Sequence, residues 1–113
     1  MDPFLLMQGE QILKNTLAKI DAHVFRVYLT NVRVVVLNNA SNLVFNSRLD
    51  KMENVNLIKA SLFKDGLLKI FHKDGNIFAM TLLHEGRMVE NKPEMNDWFN
   101  YIHQFIINKG MGV

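Results

Sequence analysis

The chain has 113 residues, of which 49% are hydrophobic and 21% charged, a composition typical of a folded domain rather than of a disordered chain. Thirteen Lys and Arg residues against eleven Asp and Glu residues leave a formal net charge of +2, a surplus too small to favour nucleic acid as a partner. The absence of cysteine excludes disulfides, thiolate metal sites and cysteine nucleophiles. We therefore expect a single domain over residues 1–113, with a core of about 9–108 and a short apolar lead-in over 1–8.

Apolar runs in this chain are too short to cross a membrane. The run Phe4–Met7 near the start has four residues, against about 20 for a spanning helix. Asp2 and Pro3 precede it, where a secretory signal peptide would carry positive charge. We expect a cytoplasmic protein, at most peripheral to a membrane.

Short apolar stretches broken by Asn, Asp and Gly run from Gln11 to Leu83 and predict β-strands. His23–Thr30 alternates between apolar and polar residues, and Val32–Leu37 is rich in valine; both patterns are typical of strands. Shorter strands are predicted at Leu43–Phe45 and, less regularly, at Val55–Leu62.

Two Asp-Gly pairs predict tight hairpin turns in the second half of the chain. Asp65-Gly66 separates the apolar residues 61–63 from 67–71, and Asp74-Gly75 separates the latter from 77–83. Glycine adopts the positive φ that such turns require, and Asp tolerates it.

The C-terminal segment has the periodicity of an amphipathic helix. Its apolar residues recur at intervals of three and four, which places them on one helical face: Met95, Trp98, Phe99, Ile102, Phe105 and Ile106. Pro93 suits the first turn, and Lys109-Gly110 suits the end. About seven strands followed by one helix is thus the predicted order, and we expect Trp98 to be buried against the sheet.

This order resembles the pleckstrin-homology superfold, most closely its prokaryotic and GRAM-type domains. The residues that carry the resemblance are Gly9-Glu10, Tyr28-Leu29-Thr30-Asn31 followed by Arg33, Lys73-Asp74-Gly75 and Trp98. It implies a mainly β fold, in which a seven-stranded, partly open barrel or orthogonal sandwich is capped by the C-terminal helix. It also implies a binding module rather than an enzyme.

Catalytic and metal-binding patterns are weak in this sequence. His23, His72, His84 and His103 lie far apart, without the spacing of a zinc motif. His72 and His84, with Glu85 or Glu90, form the best metal constellation, but isolated histidines are the better interpretation. No nucleophile elbow, phosphate loop or dinucleotide fingerprint occurs. We predict no enzyme, no metal and no cofactor.

Basic residues on the first strands are the candidates for an anion site. The resemblance implies headgroup-binding positions at Lys14, Lys19 and Arg26, and Arg33 is a further candidate contact. A polyphosphate needs several convergent cations, but Tyr28 stands where a second basic residue is expected and the turn holds Asp21. Solvated strand residues are the competing interpretation for Lys14, Lys19 and Arg26, and a solvated or salt-bridged sheet residue is the competing interpretation for Arg33.

Two strands are apolar on both faces, which predicts that something covers their outer side. Val35, Leu37, Ile77 and Leu83 are therefore candidates for self-association, with the lead-in Phe4–Met7 or the closed barrel as the alternative cover. The predicted function is a non-enzymatic binding or assembly module that recognises protein surfaces and self-associates. The alternative is a peripheral membrane module for anionic lipid headgroups.

Overall fold

The computed structural model describes residues 3–110 and is mainly β, with one C-terminal helix. All strand pairs are antiparallel. The elements are β1 (Ile12–Ile20), β2 (His23–Thr30), β3 (Arg33–Leu37), β4 (Leu43–Arg48), β5 (Met52–Ile58), β6 (Leu67–His72), β7 (Ile77–Leu83) and α1 (Lys92–Gly110). The seven strands and the single helix confirm the predicted fold class.

The seven strands form one curled sheet in the order β4-β3-β2-β1-β7-β6-β5. Strand β1 is central because it pairs with β2 along its length and with β7 at Leu17–Lys19. Strands β4 and β5 lie at the two ends of the sheet, and a short 3-10 turn, Leu49–Lys51, joins them. The sheet is therefore a half-barrel whose two edge strands do not pair with each other. This agrees with the partly open barrel that the sequence analysis predicted.

The inner face of the half-barrel holds the core, because apolar residues occupy alternate positions on most strands. Opposed inward pairs include Ala18 with Leu82, Leu68 with Met80, and Val27 with Val36. Phe45 of β4 stacks on Phe78 of β7 with ring centroids 4.6 Å apart. This stack closes the side where the strands do not pair.

Helix α1 covers the inner face, as its periodicity predicted. Asn91 precedes the helix, and its side-chain oxygen accepts a hydrogen bond from the Glu94 backbone N–H at 3.2 Å, which is the contact of an N-cap. Trp98 has no exposed surface, and Met95 and Ile102 are also buried. Phe99, Phe105 and Ile106 pack against the same core but stay partly exposed.

The two predicted Asp-Gly turns behave differently. Gly75 has φ +93° and forms the predicted turn between β6 and β7. The prediction at Asp65-Gly66 is wrong, because β5 ends at Ile58 and residues 59–66 form a longer loop. Gly66 does not adopt a positive φ. Any other residue would place its Cβ only 2.9 Å from the Ile58 carbonyl oxygen, which is too close for a normal contact. Close backbone packing requires glycine there.

Candidate functional site

Arg33 is buried in an ion pair with Glu10. The Arg33 Nε donates to Glu10 Oε2 at 2.9 Å, and the side chains are 8% and 0% exposed. A second guanidinium nitrogen donates to the Leu5 carbonyl oxygen at 2.8 Å, and the Phe4 ring lies under the guanidinium. Arg33 therefore fixes the lead-in to the sheet, and its charge faces a carboxylate of the chain itself.

The Glu10 carboxylate is held in its charged form by its surroundings. Burial by itself would raise its pKa. Hydrogen bonds from Arg33, from the Met7 backbone N–H and from the Thr30 hydroxyl outweigh this effect, and the pKa of Glu10 lies below its ordinary value. The pair is thus a charged structural contact.

Lys14 contacts the first turn of helix α1. Its Nζ lies 2.9 Å from Glu94 Oε2 and 3.4 Å from Asp97 Oδ2. The hydrogen bond to Glu94 raises the pKa of Lys14 despite partial burial. Glu94 Oε1 also accepts a hydrogen bond from the Trp98 indole at 3.2 Å. Lys14 therefore ties the sheet to the helix.

The two remaining candidates, Arg26 and Lys19, lie on the outer face of the sheet, where each contacts a carboxylate. Arg26 binds Glu85 through both terminal nitrogens, and Lys19 Nζ lies 3.3 Å from Asp65 Oδ2. The four predicted cations each have a carboxylate partner of their own, so they do not converge on one anion site. Among these four cations, Lys19 borders an exposed loop that carries two further lysines.

The predicted self-association residues are mostly covered by the chain itself. Val35, Leu37 and Leu83 are buried, which corrects the expectation that they form an exposed patch. Phe4 packs edge-on against Tyr28, the neighbour of Val35 across the strands. The segment after β7 folds back so that Glu90 pairs with Leu83. Among the four candidates, Ile77 alone is exposed, at 56%.

The most exposed large apolar pair of adjacent residues lies in the loop between β5 and β6. Leu62 is 88% exposed and Phe63 89%, in a bend where the Ser61 N–H donates to the Lys64 carbonyl oxygen at 2.9 Å. Lys59 and Lys64 flank this apolar pair. Within residues 3–110 neither lysine makes an ion pair. We call residues 59–66 the apical loop.

The base of the apical loop is fixed to the rest of the molecule at Gly66. Its N–H donates to Glu90 Oε1 at 2.7 Å, and its carbonyl oxygen accepts a hydrogen bond from the buried Thr81 hydroxyl at 2.7 Å. Glu90 follows β7, and Thr81 belongs to it. These two hydrogen bonds therefore fix the base of the loop, while its tip projects into solvent.

The described residues contain no metal-binding cluster. No group of three or more His, Cys, Asp or Glu residues among them could hold a metal ion. His72 instead contacts the Ser47 hydroxyl and the Asn76 carbonyl oxygen. No helix within residues 3–110 is long and apolar enough to span a membrane.

The sequence analysis did not predict the apical loop. Residues 61–63 are apolar enough to be assigned to a strand, and the Asp-Gly pair after them favoured a hairpin. The informative signal is the order lysine, two small residues, two large apolar residues and lysine over 59–64. In a strand such residues alternate between faces, whereas in a loop they all project to solvent.

Comparisons with known proteins leave the chain without an assigned family: no protein-family model matches it, and no curated protein matches it. The candidate site therefore rests on its own geometry, which combines an exposed apolar pair, two unpaired lysines and a fixed base.

Proposed function

We propose that this chain is a non-catalytic module that docks on anionic membrane surfaces by inserting the tip of its apical loop. The observation that carries the proposal is the exposure of Leu62 and Phe63 between two lysines that make no ion pair with the described residues. Exposure of an apolar side chain to water at a loop tip is unfavourable. Its burial in lipid would be favourable by about 1.5–3 kcal/mol for each large side chain. Lysines beside them meet anionic headgroups at the depth where the tip enters.

The geometry favours the membrane over self-association for two reasons. The apolar surface that the sequence indicated for self-association is buried at three of its four residues. The apical loop, in contrast, presents a small convex tip, which suits a soft bilayer better than a flat self-complementary contact. Charge complementarity favours anionic lipid over a purely zwitterionic surface.

Flotation with vesicles tests the proposal. We expect the wild-type chain to float with vesicles of phosphatidylcholine and phosphatidylglycerol, and the double variant Leu62→Ser, Phe63→Ser to lose about 10-fold or more of its affinity. Ile77→Ser is the matched control, because Ile77 is also an exposed apolar residue but lies on a strand away from the loop. Raising the salt concentration should weaken the lysine contribution and leave the apolar one.

Two results would contradict the proposal, the first its loop contact and the second its membrane function. Equal flotation of the loop variant and the wild type would show that the loop is not the contact. Absence of wild-type flotation, together with loop-dependent binding to a purified protein, would assign the same tip to protein recognition.

A further inference from the structure

A surface depression lies between the apical loop and strands β1 and β7, and the tip residues Leu62 and Phe63 form part of its lining. It has a volume of about 550 Å³, and its charged lining residues are Lys19, Lys64 and Asp65. Ser61 and Thr81 add hydroxyl groups to the lining. A volume of this order accommodates a small polar ligand.

Strand residues and the base of the apical loop fix part of the wall of this depression. Gly66 anchors one wall through its hydrogen bonds with Glu90 and Thr81. Lys19 lies on β1, the central strand of the sheet. A ligand that enters therefore has less chain to order, which lowers the entropic cost of binding.

The charges in the depression leave a net surplus of one positive charge. Lys19 and Lys64 are cations, and Asp65 is the single carboxylate among the charged lining residues. The contact of Lys19 with Asp65, at 3.3 Å, joins two half-exposed side chains. Ion pairs of this kind contribute little to stability, so a phosphate can displace Asp65 from Lys19 at small cost.

Displacement leaves the Asp65 carboxylate as a free acceptor beside the bound phosphate. Two lysines suit one phosphodiester, whereas a polyphosphate would need further cations. The carboxylate then favours a ligand whose far end donates hydrogen bonds. Hydroxyl and primary ammonium groups donate; a trimethylammonium group has no N–H or O–H.

We infer that the depression binds a phospholipid headgroup with a single phosphodiester and a hydrogen-bond donor beyond it. Lys19 and Lys64 bind the phosphodiester, and Asp65 accepts from the hydroxyl or ammonium group. The inference rests on the proposed membrane function and adds headgroup selectivity to it. The apolar tip supplies insertion, and the depression beside it selects the lipid.

Titration of the isotope-labelled chain with soluble headgroup analogues, followed by NMR, tests the inference. The methyl phosphodiesters of glycerol and of ethanolamine should shift the amide resonances of residues 61–66 and of Lys19, and the methyl phosphodiester of choline should bind several-fold more weakly. The last two compounds are both zwitterionic, so their comparison isolates the hydrogen-bond donor from net charge.

Variants assign the roles of the three charged residues. Lys19→Gln and Lys64→Gln should each weaken analogue binding about fivefold. Lys51→Gln is the control, since Lys51 is an exposed lysine outside the depression. Asp65→Asn should reduce the preference for the two donor-bearing analogues over the methyl phosphodiester of choline while retaining phosphate binding.

The outcomes separate this inference from the membrane function. Equal binding of the three analogues, or no shift with any of them, overturns headgroup selectivity even where loop-dependent flotation persists. Analogue shifts that follow the expected order support the depression as the headgroup site. If those shifts occur without vesicle flotation, membrane insertion is wrong and the headgroup site stands by itself.

Discussion

The Glu10 carboxylate joins the lead-in to the connection between β2 and β3, which is 20 or more residues away along the chain. It accepts hydrogen bonds from the Met7 backbone, from Thr30 at the end of β2 and from Arg33 at the start of β3. Both members of the ion pair are almost fully shielded from water, so neither can lose its partner without leaving an uncompensated buried charge. The lead-in is therefore held by electrostatics as well as by packing.

Replacement of Glu10 by glutamine should destabilise the fold. The amide keeps the size of the side chain but removes the negative charge that balances Arg33, which costs about 3 kcal/mol for a buried pair. Denaturant unfolding followed by circular dichroism measures the loss. Asp50→Asn is the control, because it removes one carboxylate from an exposed pair with Arg48 and should change stability little. Equal effects of the two variants would contradict a structural role for Glu10.

Acid should destabilise the wild type more than the Glu10→Gln variant. The pKa of Glu10 is lowered in the folded chain relative to its ordinary value of 4.5. Its stabilising contribution is therefore present above that value and is lost as the pH falls through the folded-state pKa. We expect the stability difference between wild type and variant to be constant near neutral pH and to narrow below about pH 4.5. Parallel pH dependences of the two chains would contradict this linkage.

At the level of elements, helix α1 and the apical loop contrast in how they treat apolar residues. The helix buries its apolar face on the sheet, with Trp98 fully covered and its indole N–H bonded to Glu94. The apical loop exposes Leu62 and Phe63 although its base is fixed. One element therefore contributes to folding, and the other leaves its apolar side chains exposed.

Truncation of Trp98 should unfold or strongly destabilise the chain. Trp98→Ala leaves a large cavity between helix and sheet and removes the hydrogen bond to Glu94, at a cost of about 3–5 kcal/mol. Such a loss is a large part of the stability of an ordinary domain. Thermal unfolding followed by circular dichroism measures it. Phe63→Ala removes an aromatic residue of the apical loop and should leave the melting temperature unchanged.

The sequence predicted most elements because local patterns determine them. The helix followed from a repeat of three and four residues, and the β6–β7 turn from Asp74-Gly75, since those signals act between neighbours. The end of β5 was missed because residues 59–63 can form a strand or a loop with equal local ease. The packing of Gly66 against Glu90 favours the loop. These two residues are 24 positions apart in the sequence.

Pairing of the charged residues could not be read from the sequence for a related reason. Lys14 binds Glu94 across 80 positions of the chain, and Arg33 binds Glu10 across 23. The basic residues were visible in the sequence, but their partners depend on how the sheet curls and where the helix docks. Only the folded chain separates a cation that is already paired from one that remains available, such as Lys59 or Lys64.

On the scale of the whole molecule, the chain itself covers the outer face of the sheet around Val35, Leu37 and Leu83. The lead-in reaches Tyr28 and Arg33 through Phe4, and the segment after β7 pairs back onto Leu83 and bonds Arg26. The doubly apolar strands are thus explained within one chain. The exposed apolar surface is concentrated instead at smaller sites, of which the apical loop tip is the most prominent.

Charged substitutions on the covered outer face should therefore unfold the chain rather than dissociate an oligomer. Val35→Asp places an unpaired carboxylate at a fully buried position, which costs several kcal/mol. Ile77→Asp is the matched control on the same outer side of the sheet, where the side chain is half exposed, and it should fold normally. Circular dichroism gives the folded state, and light scattering gives the mass. A Val35→Asp chain that stays folded and only loses mass relative to the wild type would restore this surface as a contact between copies.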